Sequence, residues 1–122
     1  MGFLAKTGLI LATLAILWVS ALMSAVVDNI PFTIAMLPVI KGLSAQGVVT
    51  GPLWWALALG VGFGGNASPI GATANVVAIS VSERTEEPIT VRQWLRSGTW
   101  LAALGCGVAS LALAVGVSFG WL

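Results

Sequence analysis

The sequence predicts an all-α integral membrane protein, and three observations carry the prediction. Hydrophobic residues make up 58% of the chain and charged residues 7%, against roughly a quarter charged in soluble domains. Apart from Asp28, no charge lies between Lys6 and Lys41, none lies between Lys41 and Glu83, and none follows Arg96. The uncharged blocks are long enough to form helices that cross lipid. Such a chain cannot cover a water-facing surface with polar groups, so lipid is its solvent. The expected elements are a re-entrant helical hairpin, a discontinuous transmembrane helix, a short interfacial helix and a final transmembrane helix.

The first block, Thr7 to Ile40, would be about 50 Å long as one helix, well beyond a hydrocarbon core of about 30 Å. It must bend, and Asp28-Asn29-Ile30-Pro31 is where bending costs least, because proline removes an amide donor and crowds the preceding turn. Arms over about 9–27 and 31–40 make a hairpin, about 8–41, with a polar tip inside the membrane. A plain helix followed by a buried half-helix is the alternative. Lys6, the apolar run Gly8 to Val19 and Val19-Ser20-Ala21 imitate a signal peptide. The apolar sequence then continues to Ile40 with no polar domain to export, which favours retention.

A small polar link, Lys41 to Gly51, leads to Pro52 at a helix start. The second block, about 52–82, is also too long for one straight span. Its middle reads Gly64-Gly65-Asn66-Ala67-Ser68-Pro69-Ile70-Gly71-Ala72-Thr73-Ala74-Asn75, and glycine and proline there break the helical ladder. A helix over about 52–64, an unwound stretch and a helix over about 74–82 result. Residues 83–96 form the polar segment, ending in a short interfacial helix with Thr90 as its cap and Trp94 at headgroup depth. The last span, about 97–121, carries small residues (Gly98, Ala102, Gly105, Ala109, Gly116, Gly120) suited to close packing, with Trp100 and Trp121 near its ends. A hairpin puts Lys6 and Lys41 on one side and Arg84, Arg92 and Arg96 on the other, which favours a cytoplasmic 83–96 loop.

Several function classes lose support. The net charge of +1, with no basic stripe, gives nothing for nucleic acid to bind. There is no histidine, and the lone Cys106 sits in an apolar run, where a packing role is the ordinary one. Gly60-x-Gly62-x-x-Gly65 matches a dinucleotide fingerprint literally, but that motif needs a strand in a soluble βαβ unit. Gly60 with Gly64 reads as a packing face. No nucleophile–base pair, phosphate loop or metal cluster is present, so the chain is not expected to be an enzyme or to need a cofactor beyond a coupling Na+ or H+.

Two polar elements remain. Asp28, Asn29 and Thr33 offer hard oxygen ligands for a small cation such as sodium, or a carboxylate that carries a proton. Asp28 is otherwise a structural cap on the second arm. A carboxylate at the bilayer centre costs about 2.5–3.5 kcal/mol even on a lenient scale, so a use is expected. In the unwound stretch, Asn66, Ser68, Gly71, Thr73 and Asn75 are candidate solute-binding residues, since paired breaks are how many secondary transporters build their sites. The competing reading there is a glycine-rich kink that serves packing.

Asp28-Asn29-Ile30-Pro31-Phe32-Thr33 followed by Met36-Leu37-Pro38-Val39, and then Ala56-Leu57-Ala58 leading into Gly64 to Val77, resemble the ion transporter superfamily. The closest pattern is the branch of arsenite permeases, the melanosomal P protein and NhaD-type sodium/proton antiporters, which carry a citrate-transporter-like domain. The resemblance implies two inverted repeats, each with a re-entrant hairpin and a broken helix whose tips meet at the site. This chain resembles the end of the second repeat, so the first repeat, or further copies of the chain, is the implied partner. In the related dicarboxylate symporters the hairpin tip is Ser-Asn-Thr; the matching positions here are Asp28, Asn29 and Ile30. The acid in place of serine, and an isoleucine with no hydroxyl, fit a proton- or cation-coupled system better than a sodium–dicarboxylate one. The implied activity is secondary transport of an ion, small oxyanion or organic anion. The alternative is a small membrane assembly subunit or inactive fragment that transports nothing.

Overall fold

The computed structural model describes residues 3–120, with side chains from Thr7 onward. Every described element is helical: α1 (Phe3–Val26), α2 (Asn29–Ala45), α3 (Gly51–Gly64), a 3₁₀ turn (Gly65–Ala67), α4 (Thr73–Ser82) and α5 (Val91–Ser118). Thr7–Val26 of α1 and the whole of α5 are long and apolar enough to cross a membrane.

The chain leaves α1 at Val27 and re-enters helix at Asn29. Pro31 falls in the first turn of α2, where its absent N–H has no intrahelical acceptor to lose. The helix then continues past the expected end at Ile40 to Ala45 and takes Pro38 into its interior. Lys41 and Gly42, read above as the start of a link, are therefore helical, and the turn comes at Gly47, whose φ of 88° suits glycine. At 17 residues, α2 is about 25 Å long, still short of the hydrocarbon core. It folds back beside α1. Ile40 is buried with Leu53, Leu57 and Val61 of α3, and Ile16 of α1 packs on the same cluster as Phe32 and Met36.

α3 runs parallel to α1 and touches it backbone to backbone. A Cβ on Gly60 would stand 2.3 Å from the carbonyl oxygen of Leu17, and one on Gly64 would stand 2.3 Å from that of Ala21. Gly60 and Gly64 thus form the packing face that their spacing suggests, four residues apart on α3 against four residues apart on α1. Ser20 lies in this contact, fully buried, and its hydroxyl has no partner among the described residues.

α5 departs from expectation. The interfacial helix and the last span are one uninterrupted helix of 28 residues, about 42 Å long. Thr90 accepts from the Gln93 amide, and the Gln93 side chain accepts from the Thr90 amide, a complete capping box. Charge stops at Arg96, but nothing beyond it breaks a helix. Gly98 serves a close approach instead of a bend. Cys106, Ala109 and Leu113 bury the apolar face of α5 against Leu17 and Ala21 of α1 and Ala56 of α3. The Trp94 indole N–H donates to the Asn66 carbonyl at 3.0 Å. Trp121 and the Lys6 side chain lie outside the described residues.

The glycine contact gives a direct test. Gly60→Ala forces α1 and α3 apart and should cost about 1–3 kcal/mol, the scale of an overpacked core. Ser20→Ala removes an unpaired buried hydroxyl and should hold or raise the melting midpoint. Thermal unfolding in detergent reads both, and a Gly60→Ala midpoint equal to that of the parent would refute the backbone contact.

Candidate functional site at the paired helix breaks

The two breaks in the chain lie against one another. Asp28 occupies the position before α2, with φ −53° and ψ 147°, and its side chain makes no capping bond. The structural-cap reading of Asp28 is thus not what the geometry shows. Its Oδ2 instead accepts from the Thr73 hydroxyl at 2.7 Å. Thr73 is the first residue of α4, so one carboxylate sits at the N-terminal ends of two helices. The first N–H groups of a helix have no intrahelical acceptor, and both ends carry partial positive charge. Such a junction suits a negative group, which the Asp28 carboxylate supplies.

Asn29 fixes the tip from the other side. Ser24, fully buried on α1, places its Oγ 2.5 Å from Asn29 Oδ1 and 3.0 Å from the Val61 carbonyl. One hydroxyl proton serves one acceptor at a time. Turning the Asn29 amide over lets its NH₂ donate to Ser24 while the hydroxyl serves Val61. The space opposite is tight, since a Cβ on Gly65 would stand 2.7 Å from Asn29 Oδ1 and 3.1 Å from the Gly71 carbonyl oxygen. Thr33, a turn further along α2, is joined to none of these groups by a hydrogen bond among the described residues.

The unwound stretch closes on itself. Asn75, 7% exposed, donates both amide protons inward, to the Gly65 carbonyl at 2.7 Å and the Ser68 carbonyl at 3.1 Å. The Ser68 hydroxyl donates to the Ala25 carbonyl at the end of α1. Gly71 is buried where a Cβ would stand 2.4 Å from the Gly65 carbonyl oxygen and 2.9 Å from that of Ser24. Ser68, Gly71 and Asn75 therefore hold the stretch in shape and against α1, while Thr73 alone of the solute set bonds to Asp28. Asn66 is placed elsewhere. It lines a cavity of about 580 Å³ on the α5 side with Ile89, Gln93, Trp94 and Leu101, away from Asp28.

Sequence reasoning passed over Ser24, Trp94 and Thr99 as partners of the breaks. Thr99 donates to the Ala67 carbonyl at 2.6 Å, as Trp94 does to Asn66. Their sequence signal is weak, because the carbonyl each one serves lies 28 to 37 residues away. α4 has no extensive packing partner among the described residues, and its Val76, Val77 and Val81 are exposed.

Comparison with known proteins places the chain. The citrate transporter family model matches residues 1–60. The human P protein is 40% identical over 117 residues, covering 93% of this chain and 14% of that protein. An uncharacterized transporter of Mycobacterium tuberculosis strain H37Rv is 41% identical over 102 residues, covering 80% of this chain and 24% of its own length. The 46 kDa membrane protein of Mycobacterium leprae is 36% identical over 107 residues, covering 85% and 25%. The chain thus spans between a seventh and a quarter of the length of these relatives. No solved structure matches it. Together with the two apolar helices of crossing length, these similarities identify an integral membrane protein.

Asn75→Leu should expose how much the closed loop depends on one amide. It removes donors from two carbonyls, and each buried group left unpaired costs about 1–3 kcal/mol. Limited proteolysis in detergent should then cut between Gly65 and Thr73, with α1 intact. A loop as resistant as the parent's would refute this role.

Proposed function

We propose that this chain belongs to the ion transporter superfamily, in its citrate-transporter-like branch, and is part of the translocation core of a secondary transporter; the match to the citrate transporter family and the similarity to the P protein support that reading. The cargo class is an ion, small oxyanion or organic anion, coupled to protons or sodium. The observation that carries the reading is the Thr73–Asp28 hydrogen bond, which joins the two helix breaks through a carboxylate.

Asp28 and Asn29 hold the coupling ion or proton, with Thr33 nearby on α2. Thr73 is the contact between that group and the unwound stretch. Asn66, Ser68, Gly71 and Asn75 shape the side on which solute binds, and the helix N-termini favour an anionic cargo. A cation or proton arriving at Asp28 draws on the charge that the Thr73 hydroxyl also bonds, so loading the carboxylate weakens the hydrogen bond that joins the breaks. Alternating access follows if one break moves against the other. The rest of the transporter, as a first repeat on another segment or as further copies of this chain, covers the half-buried Asp28 tip and the exposed valines of α4.

The test is cation- and pH-dependent flux in proteoliposomes, with the chain alone and then with any partner encoded beside it. Asp28→Asn keeps an acceptor for Thr73 and removes the charge. Flux should fall roughly tenfold or more, the scale of one lost charge-assisted contact of about 1.5–3 kcal/mol, and its pH dependence should flatten. Unchanged flux with an unchanged pH profile would remove Asp28 from the mechanism.

A further inference from the structure

Three contacts tie the start of α5 to the unwound stretch. Trp94 Nε1 donates to the Asn66 carbonyl at 3.0 Å, and Thr99 Oγ1 donates to the next carbonyl, Ala67, at 2.6 Å. Between them, a Cβ on Gly98 would stand 2.4 Å from the Asn66 carbonyl oxygen. Two donors and a glycine within two turns of one helix thus grip two consecutive peptide groups. Those peptides lead directly into Ser68, bonded to Ala25, and on to Thr73, bonded to Asp28. Beside the grip lies the cavity of about 580 Å³, bounded by Gln93, Ser97 and Leu101 as well as Asn66 and Trp94, so the turn has open space to enter once released.

We infer that Trp94, Gly98 and Thr99 are positioning residues: they set the unwound stretch against α5 and through it hold Thr73 on the Asp28 carboxylate. This rests on the reading of that stretch as part of a transport site. It also gives the polar 83–96 segment a consequence, because the segment feeds α5 through the Thr90 capping box and fixes where the grip begins. Simple packing would make the same contacts without control over Thr73, and the two are separable.

The experiment is amide hydrogen exchange on the full chain in lipid nanodiscs, read over residues 65–72 and over α1, with flux measured in parallel. Thr99→Val keeps the shape and removes the proton; Thr99→Ser keeps the proton; Trp94→Phe tests the neighbouring bond separately. Exchange over 65–72 should rise about five- to tenfold in the Val and Phe variants, with α1 unchanged and Thr99→Ser like the parent. The half-saturating solute concentration should rise by a larger factor than maximal flux falls. Exchange unchanged in both variants, a rise spread equally into α1, or a serine variant that behaves like valine would each overturn the inference. A parent chain without flux under any condition, whose exchange still responds as stated, would sustain the clasp and overturn the transport reading instead.

Discussion

The constraint on which the rest of this molecule depends is that broken backbone in lipid must find its hydrogen bonds within the protein. An unsatisfied peptide group in hydrocarbon costs several kcal/mol, so irregular backbone persists there only where protein or a wet cavity covers it. The chain unwinds twice, and carbonyls at both breaks receive side-chain donors. Ser24 serves Val61, Asn75 serves Gly65 and Ser68, Trp94 serves Asn66, Thr99 serves Ala67, and Ser68 serves Ala25. Asn75 of α4 serves its own break, but Ala25 at the first break is served from the second, and Asn66 and Ala67 at the second are served from α5. Each break therefore requires the other elements to be in place.

The same constraint accounts for the glycines. A short side chain reaches a carbonyl only if the backbones come close, and Gly60, Gly64, Gly65, Gly71 and Gly98 are among the positions where a Cβ would collide with a neighbouring backbone or side chain. α3 approaches α1 through Gly60 and Gly64, which carries Val61 to Ser24. Gly65 and Gly71 bring the unwound stretch onto the tip beside Asn29, and Gly98 carries Trp94 and Thr99 onto the turn. Conformational freedom matters less here than the missing side chain, since these glycines lie outside the positive-φ region.

How much of this was legible in the sequence follows from how local each signal is. Both breaks could be placed, because Asn-x-Pro and a run of glycine with Pro69 act on their own backbone within a few residues. Thr90 was legible as a cap for the same reason. The continuity of α5 was obscured because charge ends abruptly after Arg96, and a change of solvent was read as a change of helix; helix propensity does not change there. The donors to freed carbonyls were illegible, since nothing near Thr99 or Ser24 in sequence marks a partner more than thirty residues away. Asn75 and Ser68 were legible as important and not in role. An amide and a hydroxyl beside a break look alike whether they face a solute or the backbone.

Once those polar groups are assigned to the backbone, Asp28 stands apart. The side chains of Ser68, Asn75, Trp94 and Thr99 repair the breaks, and neutral residues do that work. A helix start in lipid can be capped by serine or asparagine with no charge to desolvate, whereas a carboxylate there costs more and in this structure caps nothing. One hydroxyl, that of Thr73, bonds it, while an ionised carboxylate has room for about four donors. Local choices in a protein ordinarily agree with one another, and the residue that breaks the agreement at a cost marks where function has been placed. By that reasoning Asp28 is the residue on which the proposed transport role rests, and the repaired backbone around it is the frame that keeps two helix ends within reach of the same carboxylate.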